Sequence, residues 1–220
     1  CKALNKVLSK TVPAEGAGTL CNFQDSIRPT KNKSDYNKQR SEVLTFNAGG
    51  SGARPTSDGL NATAFPSGVM TMPIEATENT GPIIIWRKEL RPDIGGIGEF
   101  RGGLGQFMEV GVKDGYVFDF QAMFDRVNFP ANGQNGGGNG AATVIKRDDG
   151  LTMKGKGKQF IPDGRKVLLA FPGGGGCGLV ANRKRSSITN DLTLGYISKK
   201  SAKEDYKLSE IEINNIKKTK

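Results

Sequence analysis

The chain has 220 residues, of which 35% are apolar, and it carries a formal net charge of +10. This length and apolar content suffice for one domain with a packed core, and they exclude a wholly disordered chain. The 31 glycines are clustered and do not recur at every third residue, which excludes a collagen-like protein.

The excess positive charge lies largely near the C-terminus. From Arg183 onward ten Lys or Arg stand against five Asp or Glu, so this segment supplies +5 of the +10. A solvated lysine-rich tail explains that distribution better than a phosphate-binding surface does. We therefore do not expect nucleic acid as a partner.

Histidine is absent from the sequence. Its absence excludes Ser-His-Asp and Cys-His catalysis and argues against a self-contained transition-metal site. Cys1, Cys21 and Cys177 show no Cys-x-x-Cys spacing, which indicates a reducing compartment and a cytoplasmic protein. No apolar run approaches the roughly 18 residues of a membrane span, so we expect no membrane partner.

The first half of the chain contains two predicted strands and a glycine-rich loop. Residues 1–10 have apolar residues at helical spacing and predict a helix stopped by Pro13; because the chain starts there without methionine, we expect a piece of a longer protein. Residues 23–40 are polar and predict a loop, whereas residues 41–48, SEVLTFNA, predict a strand.

The glycine-rich stretch 49–68 follows that strand and is interpreted as an ordered loop. Its glycines permit close backbone approach, and we expect Arg54 and Asp58 to be held there as a polar pair. After Pro73, Glu75 and Glu78 are spaced to share one face of a short helix. Paired carboxylates suit acid–base work, although acids in a first helical turn commonly serve only the helix dipole.

The second half predicts hairpins and then helices. IIIWRKEL after Pro82 is a predicted strand, and the clearest signal is a type I′ hairpin at Asp114-Gly115 between alternating strands. A second hairpin is predicted at Asp149-Gly150, and RKVLLAFP is a predicted apolar strand. Toward the C-terminus, Ser198 or Ser201 is a candidate helix cap, with Ser201 and Glu204 spaced as a capping box. The predicted fold is α+β, a β-rich domain with antiparallel hairpins, glycine-rich loops and short helices at both ends.

Three glycine motifs have functional and structural interpretations. GGGGCG at residues 173–178 matches G-x-G-x-x-G, but too little chain follows for a dinucleotide-binding fold, so a tight turn or an anion-holding amide nest is favoured. RGG at residues 101–103 occurs once and predicts a turn whose arginine pairs with an acid. FPANGQNGGGNG at residues 129–140 is interpreted as an ordered wide loop between aromatic strands.

The order of these pieces resembles one family, the hydantoinase B/5-oxoprolinase family. The resemblance runs from Leu4 to about Tyr206 and is carried by six segments, GGSGARPTSDGLNATAFPSGV, MPIEATE, ELRPDIGGIGEFRGGLGQ, DRVNFPANGQNGG, FPGGGGCG and LTLGYISKKSAKEDY. The family includes B subunits of ATP-dependent N-methylhydantoinases, the C-terminal half of 5-oxoprolinase, and large subunits of acetone and acetophenone carboxylases. Ile94 and Cys177 depart from its usual turn sequences.

The resemblance implies a function and a set of partners. Residues 1–182 would be the C-terminal part of a hydantoinase B/oxoprolinase-type domain, and residues 183–220 its basic helical end. The parent enzyme would hydrolyse a cyclic amide with an ATP-using A-type subunit, or alternatively carboxylate a ketone; a non-catalytic RNA-binding protein is a further alternative. This chain would bind no cofactor, with ATP and Mg on the partner and any divalent metal in an upstream part.

Four residues are the predicted catalytic candidates. Arg54, Asp58, Glu75 and Glu78 lie between the two glycine-rich crossings, where the chain brings loops together. Arginine is suited to binding a carbonyl or phosphate through two hydrogen bonds, and the carboxylates are suited to proton transfer. Without histidine, a metal cluster or a nucleotide loop, the chain alone is predicted to be inactive.

Overall fold

The computed structural model describes residues 7–8, 12–18, 21–30, 40–63 and 72–217. Two antiparallel four-stranded sheets make up its centre, with strand orders β2-β1-β5-β7 and β3-β4-β8-β6. The strands are β1 Cys21–Pro29, β2 Ser41–Thr45, β3 Ile83–Leu90, β4 Gln106–Val112, β5 Tyr116–Phe124, β6 Val144–Arg147, β7 Lys156–Ile161 and β8 Val167–Ala170. The α+β prediction is confirmed.

The main hydrophobic core lies between the two sheets, because buried residues of both form one cluster. Aromatic rings run through it: the centroids of Phe23 and Phe120 are 5.2 Å apart, those of Phe120 and Phe124 6.1 Å, and those of Phe124 and Phe171 5.8 Å. These spacings are typical of favourable aromatic pairs. Both sheets are thus held together by one aromatic interior.

The hairpin prediction at Asp114-Gly115 is wrong. The turn itself exists, with the Tyr116 amide donating to the Lys113 carbonyl at 3.2 Å, but β4 pairs with β3 and β8 while β5 pairs with β1 and β7. Gly115 alone of the two turn residues has positive φ, +83°, which fits a type II turn and not type I′. The alternation of apolar residues identified the buried face of β4 and that of β5 correctly. Both of these buried faces point into the same interior, and alternation does not specify which strand is the hydrogen-bonded neighbour.

Several other predictions have a clear outcome. The strands predicted at 41–48, after Pro82 and at 165–172 are present as β2, β3 and β8. The turn predicted at Asp149-Gly150 closes a short hairpin in which the Arg147 amide donates to the Leu151 carbonyl at 2.8 Å. The loop predicted for 23–40 is wrong over its first part, because β1 occupies Cys21–Pro29. The predicted N-terminal helix lies outside the described residues apart from 7–8.

Within the described range 72–217 four helices accompany the sheets: α1 Ile74–Glu78, α2 Arg185–Thr193, α3 Lys199–Glu204 and α4 Glu210–Lys217. Ser198 caps α3 by accepting from the Ser201 amide at 3.1 Å, so the first of the two candidate caps is confirmed. Ser201 lies inside α3, and the capping box predicted for it is wrong; the box lies at α4, where Ser209 and Glu212 bond reciprocally. The last three helices enclose a second, smaller core.

A third structural unit, which we call the glycine bundle, joins the sheets to the helices. It consists of segments 14–17, 49–53, 94–105, 131–141 and 172–178, which hydrogen-bond to one another without forming strands. The backbones approach so closely that a Cβ on Gly50 would collide with the carbonyl of Gly103, and one on Gly174 with that of Ser51. Glycine is required at both positions because only a hydrogen atom fits between the two backbone segments. The two glycine-rich crossings therefore meet. The ordered loop predicted for residues 49–68 is present over 49–63, and residues 64–68 lie outside the described residues.

Candidate functional site

The loop that carries Arg54 and Asp58 emerges from the glycine bundle and is fixed at both ends. The Ala53 amide donates to the Gly175 carbonyl at 2.8 Å, and the Gly59 amide donates to the Arg101 carbonyl at 2.7 Å. Between them the Arg54 amide bonds the Ser57 carbonyl at 2.9 Å, which closes a tight turn. A short loop anchored in this way presents its side chains at defined positions.

Arg54 lies at a cleft of about 280 Å³. Small residues and glycine backbone make up most of the described lining, and Arg54 and Arg126 supply its charge. Arg126 is held in place, since its guanidinium donates to the Gly16 carbonyl and to the Glu15 carboxylate, each at 3.0 Å. Arg54 is exposed and donates to the Asp58 carbonyl at 3.2 Å. The cleft therefore has one fixed and one accessible guanidinium.

Glu15 remains ionised beneath the cleft. Its partial burial acts to raise the pKa, but hydrogen bonds from the Asn132 amide and side chain and the charge of Arg126 outweigh burial and hold the pKa below its usual value. A carboxylate that accepts several hydrogen bonds is favoured in its charged form. Arg126 thus has a permanent counter-ion, and the net positive charge at the cleft comes from Arg54.

Asp58 does not bind the side chain of Arg54. Its carboxylate receives both terminal nitrogens of Arg183, at 2.8 and 2.9 Å, and the Arg101 amide at 2.7 Å. The expected Arg54–Asp58 polar pair therefore exists only through the Asp58 backbone carbonyl. Arg183 also binds Asp191 at 2.6 Å, and Asp191 binds the Arg101 side chain at 3.2 Å.

Asp58, Arg101, Arg183 and Asp191 together form what we call the ion network. Except for Asp58, whose side chain is 33% exposed, its members are at most 5% exposed. Two arginines balance two aspartates, so the buried charges are compensated. Burial acts to raise the pKa of Asp58, but the hydrogen bonds and charge of Arg183 together with the Arg101 amide hold it below its usual value.

Tyr206 lies next to the ion network, with its ring 5.8 Å from the Arg183 guanidinium carbon. Burial of its hydroxyl raises the pKa of Tyr206 to about 12. The phenol therefore stays neutral over the working pH range and does not act as a proton acceptor. Its role is to cover the arginine with an aromatic face.

Glu75 and Glu78 are placed on a different part of the molecule. They do share the helix α1, as predicted, and α1 packs on β3. Glu78 accepts from the Ile85 amide at 2.8 Å, whereas Glu75 is exposed. Among the described residues no hydrogen bond or ion pair joins either glutamate to Arg54 or Asp58, so the structure does not bring the four candidates into one cluster.

The glycine motifs are structural. All six amides of residues 173–178 donate to backbone carbonyls of other bundle segments, so the anion nest considered for GGGGCG is wrong. Arg101 of the RGG motif is 3% exposed and paired with Asp191, which confirms the prediction of an arginine paired with an acid. Of the wide loop predicted for residues 129–140, residues 131–140 are ordered within the bundle, as expected.

Sequence reasoning missed Arg183 and Asp191. The sequence presents Arg183 only as the start of the basic tail, and its partner Asp58 lies 125 residues earlier. No local signal marks either residue, since Arg183 lies between Asn182 and Lys184 and Asp191 lies between Asn190 and Leu192. Nothing in the local spacing connects them.

Neither a metal cluster nor a membrane-spanning helix is present in the described ranges. There, no group of three or more His, Cys, Asp or Glu is arranged to hold a metal ion. No helix in that part of the chain is long and apolar enough to cross a bilayer.

The sequence matches a known protein family. The hydantoinase B/oxoprolinase family matches residues 1–180. An uncharacterized protein of Methanocaldococcus jannaschii is 35% identical over 150 residues, covering 65% of this chain and 26% of that protein. A putative D-/L-hydantoinase B subunit of Pseudomonas sp. is 26% identical over 211 residues, covering 92% of this chain and 34% of that protein. The chain thus spans about a quarter to a third of these relatives.

Two solved structures share the fold. The ATP-dependent caprolactamase from Pseudomonas jessenii matches with a TM-score of 0.78 and 21% identity over 99% of this chain and 40% of that chain. A nucleotide-free acetone carboxylase matches with a TM-score of 0.68 and 19% identity over 93% of this chain and 33% of that chain. Both alignments extend into the C-terminal helices, beyond the residues that the family matches.

Proposed function

We propose, from the premise that the chain belongs to the hydantoinase B/oxoprolinase family, that it forms the C-terminal part of a B-type subunit. The complete subunit would open a cyclic amide with an A-type partner that uses ATP. The putative hydantoinase relative and the ATP-dependent caprolactamase support this proposal, since both are named for cyclic-amide substrates. Cytoplasmic location follows as part of the same proposal.

The chemistry requires an energy source because an unactivated lactam resists attack by water. Transfer of a phosphoryl group from ATP to the lactam oxygen makes the carbonyl carbon electrophilic. Water then adds to that carbon, the C–N bond breaks as the ring nitrogen takes a proton, and a second water releases phosphate from the acyl phosphate. ATP with Mg would be held by the partner, and a divalent metal would belong to the part of the subunit outside this chain.

The observation that carries the proposal is the cleft with Arg54 at its rim. Its volume, about 280 Å³, lies near the lower end of small-ligand sites and suits a single ring. Among the described residues only one hydrogen bond of the Arg54 side chain is present, to the Asp58 carbonyl, and Arg54 supplies the net positive charge of the described lining. A planar guanidinium binds phosphoryl oxygens through paired charge-assisted hydrogen bonds, so Arg54 is suited to hold the phosphorylated lactam.

The four candidates then have different proposed roles. Arg54 contacts the phosphoryl group, and Asp58 supports Arg54 through its backbone carbonyl. Glu78 is engaged by the Ile85 amide and serves the α1–β3 contact. Glu75, which is exposed on α1, stays a proposed proton-transfer group, and among the described residues no hydrogen bond or ion pair joins it to Arg54 or Asp58.

Two alternatives compete with this function. Ketone carboxylation uses similar phosphoryl activation, and the acetone carboxylase shares the fold. An RNA-binding function is disfavoured because Arg101, the arginine of the RGG motif, is 3% exposed and committed to Asp191. Ketone carboxylation differs from the proposed function in its substrate, and RNA binding differs in being a non-catalytic function.

The test is a substrate panel on the complete complex. The complete B-type subunit is coexpressed with its A-type partner, and ADP and organic products are measured with hydantoin, 5-oxoproline, caprolactam, and acetone plus bicarbonate. Ring-opened product formed in step with ADP supports the proposal, whereas carboxylated ketone supports the first alternative. The 220-residue chain alone is the control and should form neither product; RNA binding by it with a steep salt dependence would support the second alternative.

A further inference from the structure

A continuous line of contacts runs from the C-terminal helices to the cleft. Arg183 lies just before α2, is 5% exposed, and binds both carboxylate oxygens of Asp58 with its two terminal nitrogens. The backbone carbonyl of Asp58 then accepts a hydrogen bond from Arg54. Two contacts therefore separate a buried arginine from the accessible arginine at the cleft.

The far end of this line is firmly held. Asp191 of α2 accepts from Arg183 at 2.6 Å, and the Arg183 terminal nitrogen Nη1 also donates to the Glu99 carbonyl at 3.0 Å. Asp58 is held from the other side by the Arg101 amide. Two segments distant in sequence, at Arg101 and at Arg183, thus fix one carboxylate from two directions. Because the loop is so short, rotation of Asp58 would also move the carbonyl that orients Arg54.

We propose that Arg183 is a positioning residue for the reaction: by clamping Asp58 it sets the orientation in which Arg54 meets the phosphorylated substrate. This inference rests on the proposed function, in which Arg54 contacts that substrate. It assigns a role in the active site to the C-terminal segment beyond residue 180, where the family match ends. Arg183 touches no substrate and acts only through Asp58.

The geometry requires arginine at this position. Arg183 makes two parallel bonds to Asp58 and a third to Asp191, which uses the fork of the guanidinium. A lysine ammonium carries the same charge but cannot make the paired contact while also reaching Asp191. Arg183→Lys therefore keeps the charge balance of the buried ion network and removes the clamp on Asp58.

The first measurement is hydrogen–deuterium exchange of residues 54–60 in the complete subunit. Arg183→Lys should raise the exchange rate of the Ser57, Gly59 and Leu60 amides at least about tenfold, a loss of the size expected for one charge-assisted hydrogen bond. Arg165→Lys is the matched control, since Arg165 is 47% exposed and only loosely paired with Asp148 at 3.8 Å. The control should leave exchange in this loop unchanged.

The second measurement is steady-state turnover by the complete complex, with the melting temperature of every variant recorded. Arg183→Lys should lower kcat/KM at least about fivefold when Arg54 is present, and should add nothing in an Arg54→Ala background. Asp58→Asn, which also weakens the clamp, should show the same dependence on Arg54. A structural role would lower activity equally in both backgrounds, in proportion to lost stability.

The outcomes separate this inference from the function on which it rests. Unchanged exchange in Arg183→Lys overturns the positioning role even if the enzyme opens lactams. Equal losses of kcat/KM in both backgrounds overturn it as well. Faster exchange in Arg183→Lys combined with an unchanged kcat/KM in Arg54→Ala refutes the proposed contact of Arg54 with substrate. That result also overturns the catalytic part of the inference. Faster exchange with an effect that depends on Arg54 supports both.

Discussion

Gly50→Ala should strongly destabilise the fold because Gly50 lies within the glycine bundle. An added Cβ would meet the carbonyl of Gly103 and the amide nitrogen of Leu104, both of which are backbone and cannot rotate away. Forced overpacking costs about 1–3 kcal/mol. Separating the two segments also strains the bonds from the Gly50 amide to the Pro172 carbonyl and from the Gly174 amide to the Gly103 carbonyl, at about 1 kcal/mol each.

The expected loss of unfolding free energy is therefore about 3–5 kcal/mol, or roughly 10 °C in melting temperature for a chain of this size. Gly16→Ala is the matched control, because its Cβ would make only ordinary contacts, the nearest being the Gly52 nitrogen at 3.4 Å. The control should stay within about 1 kcal/mol of the native chain. Chemical denaturation followed by circular dichroism measures both. A Gly50→Ala variant as stable as Gly16→Ala would refute the close-packed glycine bundle.

Three further predictions concern single side chains. Asp25 is 0% exposed and has no hydrogen-bond partner among the described residues. Burial, followed by the charge of Glu42, raises its pKa well above the usual value. Asp25→Val should therefore stabilise the fold by about 1–3 kcal/mol at pH 7. Because this pKa is raised, the gain should shrink as pH falls toward the unfolded value near 4; a gain independent of pH would contradict the assignment. The pKa of Asp58 is lowered, so the stability that its ionisation provides should be full above about pH 4 and lost below it. The melting temperatures of Asp58→Asn and the native chain should therefore converge below about pH 4 and differ at pH 7. Ser209→Ala removes the capping box of α4 and should cost about 1 kcal/mol, measured by the same melts; no change would mean that α4 adds nothing to global stability.

Much of the fold was predictable from local patterns. Strands such as β3 and β8 are apolar runs of strand length, and turns at Gly115 and Gly150 fall where glycine adopts positive φ. β1 was missed because the polar Asp25 occupies a buried position between Phe23 and Ile27, which interrupts the apolar side of the alternation. The sheet partners of β4 and β5 depend on contacts distant in sequence, and no local pattern encodes them.

The candidate site was predictable only in part. The ordered loop bearing Arg54 and Asp58 follows from glycines that permit close approach, and the structure fits that reasoning. The partner of Asp58 is Arg183, which the sequence presents as one basic residue among several. Glu75 and Glu78 lie near the loop in sequence, which suggested a shared site, whereas their helix packs on β3. Proximity in sequence was a poor guide across so many crossings of the chain.

The central claim is that Arg54 serves an ATP-driven ring opening at the cleft. The most direct measurement is ring-opened product per ADP formed by the complete complex, comparing the native enzyme, Arg54→Ala and the control Lys200→Ala, whose side chain is 79% exposed on α3. We predict one product per ADP in the native enzyme and the control, and at least about a tenfold loss of turnover in Arg54→Ala with an unchanged melting temperature. Full turnover by Arg54→Ala, or ADP formation without ring opening, would contradict the account.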